Sequence, residues 1–293
     1  MKIIINAVKM YFLLQGSLHR SFFNEFFNKV LFSIPPLISC KWFNLRQYIF
    51  RRKVFYYYDN SCNLYFAKEG GERIHYFSEK TGLFFYRFGL KERGASLANS
   101  YCIDTIEFNK DDVVMDCGAN SADLYLYFSD YYPFIKYESF EPSPREFECV
   151  QKNALNGVNN NVGLHNKAGK FKFYLSSIGA DSSFIKPKSS YTDIIEVNSI
   201  TLEDYVARRN LKTIKLLKLE AEGLEPEILE GSLNCLSKIQ YIAIDGGAER
   251  GIRAETTIEF ASNFLITNGF EMVSMAVKSA QGRALFKNKN ITN

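Results

Sequence analysis

The spacing of hydrophobic and polar positions changes along this chain of 293 residues. From residue 108 onward, short apolar runs typical of buried strands alternate with longer segments in which apolar residues recur at helical spacing. The first run is Val113–Met115 and the last is Ala284–Lys287. Because strands that alternate with helices are typical of α/β proteins with a mainly parallel sheet, we predict one α/β domain over residues 108–293.

The residues before this domain follow two other patterns. Residues 1–55 alternate apolar and basic stretches, with phenylalanines at helical spacing, and predict a basic, aromatic-rich helical extension. Residues 56–107 contain short apolar runs, among them Leu83–Tyr86, separated by turn residues such as Gly70 and Gly71. These runs predict short strands, and therefore a small β-rich cap before the main domain.

Charge separates the front of the chain from its body. Residues 1–60 hold nine Lys/Arg and two Asp/Glu, a net charge of +7, which leaves −3 for the rest of a chain whose total is +4. One interpretation is peripheral contact of residues 1–60 with an anionic membrane, and the other is packing on the body or in a homo-oligomer. No uninterrupted apolar segment reaches the length of a membrane span. We therefore expect a cytoplasmic protein, peripheral at the inner membrane face in the first interpretation.

Cysteine and histidine usage argues against metal chemistry. The six cysteines form no Cys-x-x-Cys pair and the three histidines are far apart, which favours reduced thiols and no metal site. The acidic body would oppose a phosphate backbone, so we expect no nucleic-acid partner.

Two acidic strand ends predict a nucleoside site. Ligands of open α/β sheets bind beyond the carboxyl ends of strands, where a glycine lets the backbone approach the ligand. An acid beside that glycine can accept hydrogen bonds from an ammonium group, and an acid at the end of the next strand can accept both ribose hydroxyls. Six residues here form the candidate cofactor site: Asp116, Gly118, Ala119, Asn120, Glu141 and Pro142.

The loop composition favours one nucleoside over another. A pyrophosphate site needs Gly-x-Gly-x-x-Gly, whereas this loop has one glycine, and Asp123 would repel phosphate. A ligand with an amino-acid tail and no phosphate fits better, which describes S-adenosylmethionine and disfavours an NAD-dependent oxidoreductase. A tight turn with capping acids and no ligand is the remaining alternative.

Further carboxylates follow two later strands. Glu220 and Glu222 come directly after the apolar run Ile214–Leu219, and Asp245 ends the run Ile239–Ile244. Like charges raise each other's pKa, so a carboxylate in such a group can act as general base on an acceptor hydroxyl. We predict Glu222 or Glu220 as the base, with Asp245 next. For Glu225 and Glu227, which follow in the next helix, the alternative interpretation is that they only decorate the helix N-terminus.

Several ordered blocks together resemble the FkbM family of methyltransferases. The blocks are residues 113–120, 140–144, 153–156, 200–205, 217–225 and 229–231, and the resemblance covers about residues 100–287. Family membership implies a Rossmann-like, seven-stranded class I methyltransferase sheet, here with an N-terminal helical/β extension. It also implies S-adenosyl-L-methionine as methyl donor and a small-molecule or glycan acceptor: a hydroxyl of a sugar, a polysaccharide or lipopolysaccharide unit, or a secondary metabolite.

The resemblance adds two candidate cofactor residues, Ala168 and Ser183. It also exposes two departures, because the family usually has a second glycine where this chain has Ala122, and an aspartate where it has Glu220. An extra methyl at Ala122 could crowd the methionine tail. A non-catalytic binding or scaffold protein with a degenerate cofactor pocket therefore stays as the alternative function.

Overall fold

The computed structural model describes residues 33–176, 181–276 and 282–291. The chain forms two compact units, Met1–Leu90 and Lys91–Asn293. The division falls earlier than the boundary between residues 107 and 108 that the hydrophobic pattern predicts. The intervening helix belongs to the second unit because it packs closely there: a Cβ at Gly94 would lie 2.6 Å from the backbone nitrogen of Tyr127.

The described residues of the first unit include two helices and a three-stranded antiparallel sheet of order β1-β2-β3. Its elements are α1 (Pro36–Ile49), β1 (Val54–Asp59), β2 (Leu64–Glu69), β3 (Arg73–Phe77) and α2 (Gly82–Phe85). The strand predicted at Leu83–Tyr86 is wrong, because this stretch lies in and beside α2. Leu83 and Tyr86 are buried while Phe85 is 46% exposed, a three-residue spacing that suits a helical turn and not strand alternation.

The second unit alternates strands and helices. Its strands are β4 (Val113–Cys117), β5 (Lys136–Phe140), β6 (Val158–Asn160), β7 (Gly163–Leu164), β8 (Gly169–Ser176), β9 (Tyr191–Ile200), β10 (Ile214–Leu219), β11 (Ile239–Asp245), β12 (Ala248–Arg250), β13 (Glu255–Thr256), β14 (Phe270–Ala276) and β15 (Arg283–Asn288). Its helices are α3 (Leu90–Ser100, which begins at the division), α4 (Asp123–Tyr131), α5 (Pro144–Asn153), α6 (Leu202–Arg208), α7 (Glu225–Glu230) and α8 (Ile258–Thr267). Ile103–Thr105 and Leu233–Lys238 are 3-10 turns.

The main sheet has seven strands in the order β14-β15-β11-β10-β4-β5-β6. β15 pairs antiparallel with both of its neighbours, and the remaining pairings are parallel. This is the seven-stranded class I methyltransferase sheet that the sequence predicts, so the predicted α/β fold is confirmed. The chain runs outward from β4 through β5 to β6 and then returns to β10 on the other side of β4. This reversal creates a topological switch point between β4 and β10, where such folds bind ligands.

The central strands are buried on both faces. In β4, Met115 contributes to one hydrophobic cluster and Val114 to another, because successive side chains point to opposite faces of a sheet. Both faces are covered by helices, so the strands read as continuous apolar runs instead of an alternation. Across the switch point, Asp116 is the register partner of Lys218. Within the part of the chain described, no helix is long and apolar enough to cross a membrane.

Candidate active site

The loop after β4 depends on a bare backbone at Gly118. This glycine has φ +71°, and a Cβ there would overlap the carbonyl oxygen of Glu220 at the end of β10. The backbone nitrogens of Gly118 and Ala119 donate to the carbonyl of Phe140, at 3.0 and 3.2 Å. Only glycine allows β4, β5 and β10 to meet this closely at the switch point.

Ala122 stands where the family usually has a second glycine, and its conformation explains that preference. It has φ +57° at the N-cap of α4, in the left-handed region, which costs a residue with a Cβ about 1–2 kcal/mol. Ala122 is fully buried, and its side chain joins the hydrophobic cluster beneath the loop. The extra methyl therefore packs into the core.

Glu141 ends β5 as a buried carboxylate held by backbone donors. One oxygen accepts from the Asn120 nitrogen at 2.8 Å and the other from the Ser143 nitrogen at 2.9 Å. Burial, reinforced by the Glu146 carboxylate, raises the pKa of Glu141 to about 8, against the backbone hydrogen bonds. Each carboxylate oxygen can accept more than one hydrogen bond, so the group can still take donors from a ligand. The following turn is tied down by Asn161, whose amide donates to the Pro142 carbonyl at 3.2 Å.

Lys218 lies at the centre of an ion-pair network between β4 and β10. Its ammonium is 3.1 Å from an oxygen of Asp116 and 3.0 Å from one of Glu220. It also donates to the carbonyls of Cys117, at 3.1 Å, and Gly118, at 2.8 Å. Burial alone would lower the pKa of Lys218, but the two carboxylates outweigh it and raise the pKa. The other Asp116 oxygen accepts from the Tyr137 hydroxyl. Lys218 therefore holds the loop that follows β4 in place.

Arg283 closes the same network from the start of β15. Its Nε lies 2.6 Å from Asp245, at the end of β11, and a terminal nitrogen lies 3.3 Å from Glu220. A further nitrogen donates to the Ser100 hydroxyl at 2.7 Å. Although burial raises the pKa of Glu220, Lys218 and Arg283 lower it to about 2. The paired cluster therefore consists of two cations, Lys218 and Arg283, and three carboxylates, Asp116, Glu220 and Asp245.

Three carboxylates beside this cluster have the opposite electrostatics. Burial and the neighbouring acids Glu249, Glu220, Asp181 and Glu225 raise the pKa of Glu222 well above its usual range. Burial, Asp245 and Glu220 raise the pKa of Glu249 to about 8, and burial and Glu220 raise that of Asp181. Among the described residues, no cation lies within ion-pair distance of these three. We call Glu222, Glu249 and Asp181 the proton-holding carboxylates.

The other acids after β10 have structural contacts. Glu225 accepts from the Ala221 nitrogen at 2.8 Å and from the Thr257 hydroxyl at 2.8 Å, and so folds the loop that carries Glu222. Glu227 binds Arg250 with two hydrogen bonds of 2.7 and 2.8 Å. Both residues therefore fit the interpretation of acids that organise a helix N-terminus.

The two residues added by the resemblance lie in different surroundings. Ser183 is buried, and its hydroxyl donates to the Glu222 carbonyl at 3.0 Å, so it lies beside the proton-holding carboxylates. Ala168 lies in the exposed turn between β7 and β8. The assignment of both to the cofactor site stays a prediction.

Sequence reasoning missed Lys218, Arg283, Tyr137 and Glu249. Lys218 has a visible signal, because a charge inside the apolar run Ile214–Leu219 must find partners when the strand is buried. Arg283 has none, because only the antiparallel placement of β15 brings it to the carboxyl ends of β10 and β11. In the described part of the chain, no group of three or more His, Cys, Asp or Glu is arranged to hold a metal ion.

Comparison with known families decides the family of the chain. Residues 116–270 match the methyltransferase FkbM domain. The chain belongs to this family. The match begins at Asp116 and continues beyond Asp245. The FkbM region therefore includes the loop that follows β4, Glu141, Lys218 and the acids after β10.

The relatives are distant in sequence. Methyltransferase 1 of Beauveria bassiana is 26% identical over 154 residues, which is 44% of this chain and 62% of that protein. The 2-O-methyltransferase NoeI of Sinorhizobium fredii is 21% identical over 221 residues, 69% of this chain and 90% of that protein. The Methanococcus jannaschii fibrillarin pre-rRNA processing protein has a TM-score of 0.44 at 10% identity, covering 82% of this chain and 98% of that one. The chain thus spans less than two thirds of the Beauveria relative.

Proposed function

We propose that this protein is an S-adenosylmethionine-dependent O-methyltransferase. Its acceptor would be a hydroxyl of a sugar, a polysaccharide or lipopolysaccharide unit, or a secondary metabolite. Membership of the FkbM family supports methyl transfer, and the printed name of the Sinorhizobium relative, a 2-O-methyltransferase, supports a hydroxyl acceptor.

The observation that carries the proposal is Glu141, a buried carboxylate with acceptor capacity left, at the end of β5 and beside the loop that follows β4. Gly118 shapes that loop, because its missing Cβ lets the backbone lie against the Glu220 carbonyl. Asn120, held by Glu141, and Asp116, held by Lys218, would complete the set that binds the cofactor. S-adenosylmethionine would supply an electrophilic methyl group on sulfur. Ribose hydroxyls that donate to Glu141 would offset the burial that raises its pKa.

Glu222 is the general base in this proposal. A base works best when its pKa lies near the working pH, and burial with the neighbouring acids raises the pKa of Glu222 well above its usual range and that of Glu249 to about 8. Glu220 is a poorer base because Lys218 and Arg283 lower its pKa against the effect of burial, and Asp245 is engaged in an ion pair with Arg283. Glu222 would take the proton of the acceptor hydroxyl, and the paired cluster would keep the surrounding loops in place.

Isothermal titration calorimetry tests the cofactor first. We expect micromolar binding of S-adenosylmethionine and S-adenosylhomocysteine and no binding of NAD. Glu141→Gln should weaken binding of both by about ten- to a hundredfold, the worth of hydrogen bonds to a charged group. Glu148→Gln, at an exposed position of α5, is the matched control and should bind as the unmodified chain does.

Each other result identifies a different function. If neither S-adenosyl compound binds, the scaffold interpretation replaces the enzyme. NAD binding would favour an oxidoreductase. If S-adenosylmethionine binds, transfer of a labelled methyl group to a panel of sugars and polysaccharides tests the acceptor class, and methylation of carboxylates or amines alone would remove the hydroxyl assignment.

A further inference from the structure

Helix α1 of the first unit is apolar on two opposite faces. Its inner face packs into the unit, with Ser39, Cys40, Phe43 and Gln47 buried. Its outer face repeats at spacings of three and four residues, which places its members on one side of the helix. That face consists of Leu37, Ile38, Trp42, Leu45 and Tyr48, which are 51%, 53%, 37%, 47% and 75% exposed.

The contacts of the inner face fix the rotation of α1. The Asn44 side chain forms two hydrogen bonds to the backbone of Tyr56 in β1, at 2.7 and 2.8 Å. The Phe43 ring packs edge-on against Phe84 at 4.8 Å between centroids, and the Gln47 amide donates to the Arg87 carbonyl at 3.1 Å. The helix cannot turn its outer face inward without losing these contacts, so the outer face points away from the part of the unit that the structure describes.

The sequence around this face contains cationic residues but no acidic ones. Residues 33–58 contain five Lys/Arg and no Asp or Glu. Lys41 belongs to the outer face by its spacing, and Arg51 and Lys53 follow the helix as exposed residues. A contiguous apolar surface of this kind marks an interaction site, and the surrounding charge favours an anionic partner.

We propose that the outer face of α1 lies on the surface of an anionic lipid bilayer. Trp42 and Tyr48 are side chains that prefer the headgroup level, and Ile38 and Leu45 would enter the acyl boundary. Lys41, Arg51 and Lys53 would contact lipid phosphates. With 14 residues, α1 is about 21 Å long, too short to span the roughly 30 Å hydrocarbon core, so it would lie in the interface.

Two other occupants of the face are disfavoured by charge. A second copy packed across a two-fold axis would bring Lys41, Arg51 and Lys53 of both copies together, and like charges facing each other across an interface are costly. Residues 1–32 hold four Lys/Arg and one Asp/Glu, so they too are basic. An anionic bilayer is the partner that satisfies both the apolar side chains and the cations.

The experiment uses the full chain, because Trp42 is its single tryptophan and reports directly on the face. The protein is mixed, without cofactor, with vesicles of phosphatidylcholine alone or of phosphatidylcholine and phosphatidylglycerol in equal amounts. We expect a blue shift of Trp42 emission and co-sedimentation with the anionic vesicles, both weakened by salt. Zwitterionic vesicles should have little effect on either measurement.

Variants that keep Trp42 separate the face from the rest of the chain. Ile38→Gln with Leu45→Gln should weaken the partition coefficient about tenfold or more. Replacing Lys41, Arg51 and Lys53 by Gln should weaken it about fivefold per cation. Leu155→Gln with Leu233→Gln, at positions of the second unit that are 78% and 50% exposed, is the matched control and should bind as the unmodified chain does.

Three results would overturn the proposal. One is Trp42 emission that does not change with anionic vesicles. Another is unaltered partition of the Ile38→Gln/Leu45→Gln protein, which would move the binding to another segment such as residues 1–32. The third is emission that is already blue without lipid and shifts to the red on dilution, which would identify a second copy of the chain as the occupant.

Discussion

The carboxylates at the edge of the main sheet form two groups that differ in their cations. Glu220, in the paired cluster, lies between Lys218 and Arg283, and its pKa falls to about 2. Glu249, among the proton-holding carboxylates, has only acids among its described charged influences, and its pKa rises to about 8. Glu220 directly follows β10, whereas Glu249 lies in β12, four residues beyond the end of β11. The sign of the neighbouring charge, more than residue type, therefore separates an acid that stays ionised from one that can exchange protons near neutral pH.

This difference gives the two groups of carboxylates different roles, one structural and one reactive. The paired cluster joins β4, β10, β11 and β15 through buried ions whose mutual attraction offsets the cost of desolvating them. Such a cluster can hold loops in place, but Glu220 within it takes up a proton only at low pH. The proton-holding carboxylates leave their charge uncompensated, which makes them reactive and is typical of functional sites. The predictions below test whether stability and catalysis separate along this line.

Replacing Lys218 should have the largest effect on stability. Lys218→Met would leave Asp116, which is 1% exposed, and Glu220 without their common cation. Breaking a buried ion pair on one side costs about 3–5 kcal/mol. Urea unfolding followed by circular dichroism measures the loss. The control is Lys215→Met on the same strand, where the half-buried lysine lies over the Tyr241 ring and should cost under about 1 kcal/mol. Equal losses of unfolding free energy in the two proteins would show that Lys218 does not hold the cluster together.

Glu222 and Glu220 should separate into an activity effect and a stability effect. Glu222→Gln removes the proposed base and should lower kcat/KM by about 10²–10⁴-fold, without lowering the free energy of unfolding. Glu220→Gln takes one partner from Lys218 and Arg283 and should cost about 2 kcal/mol, less than a fully buried pair because Glu220 is 28% exposed. Methyl transfer and urea unfolding, measured on both proteins, decide the matter. Full activity of Glu222→Gln would exclude it as the base.

The pH dependence should report the proton-holding carboxylates. The base must be deprotonated, so kcat/KM should rise with pH and level off above the pKa of the Glu222–Glu249 pair. Glu249→Gln removes the charged neighbour that raises the pKa of Glu222, and the rise should move to lower pH by about one unit. A profile that does not move would show that Glu249 does not act on the base.

Stability should follow pH with the opposite sign. Glu249 binds its proton more tightly in the folded chain than in the unfolded one, because its pKa rises from 4.5 to about 8. Its contribution is therefore fully present below pH 4.5 and is lost as pH rises towards 8. Glu249→Gln should flatten this decline in unfolding measurements across that range.

The succession of strands and helices along the second unit, and the acids at the strand ends, could be predicted from the sequence because they depend on local patterns. Apolar runs that end in Asp116 or Asp245 mark buried strands and their carboxyl ends directly. The same reasoning wrongly predicted a strand at Leu83–Tyr86, because a four-residue apolar run suits a strand and a helical turn equally. The sequence does not show which of the two buries the right side chains.

The division of the carboxylates could not be predicted, because it depends on contacts between distant segments. Arg283 reaches Asp245 and Glu220 only because β15 inserts antiparallel beside β11. The sequence shows three acids near one strand end, but it does not show which of them gains a cation. The sequence therefore predicts Glu222 or Glu220 as the base without distinguishing their electrostatics, and the choice between them stays a prediction.

The smallest effect should come from Glu227, which holds a third cation away from the proton-holding carboxylates. Arg250 follows Glu249 directly, yet its guanidinium binds Glu227 and the Gly223 carbonyl. The pair is 29% and 22% exposed, so Glu227→Gln should cost about 0.5–1 kcal/mol. A released Arg250 would add positive potential near Glu249 and Glu222, lower their pKa and move the pH profile of kcat/KM a few tenths of a unit towards acid. Asp111→Asn, which breaks the exposed pair with Lys136, is the control and should change neither quantity. A shift towards alkaline pH would mean that Arg250 already stabilises the ionised base, and the contrast between the two groups of carboxylates would then be one of degree.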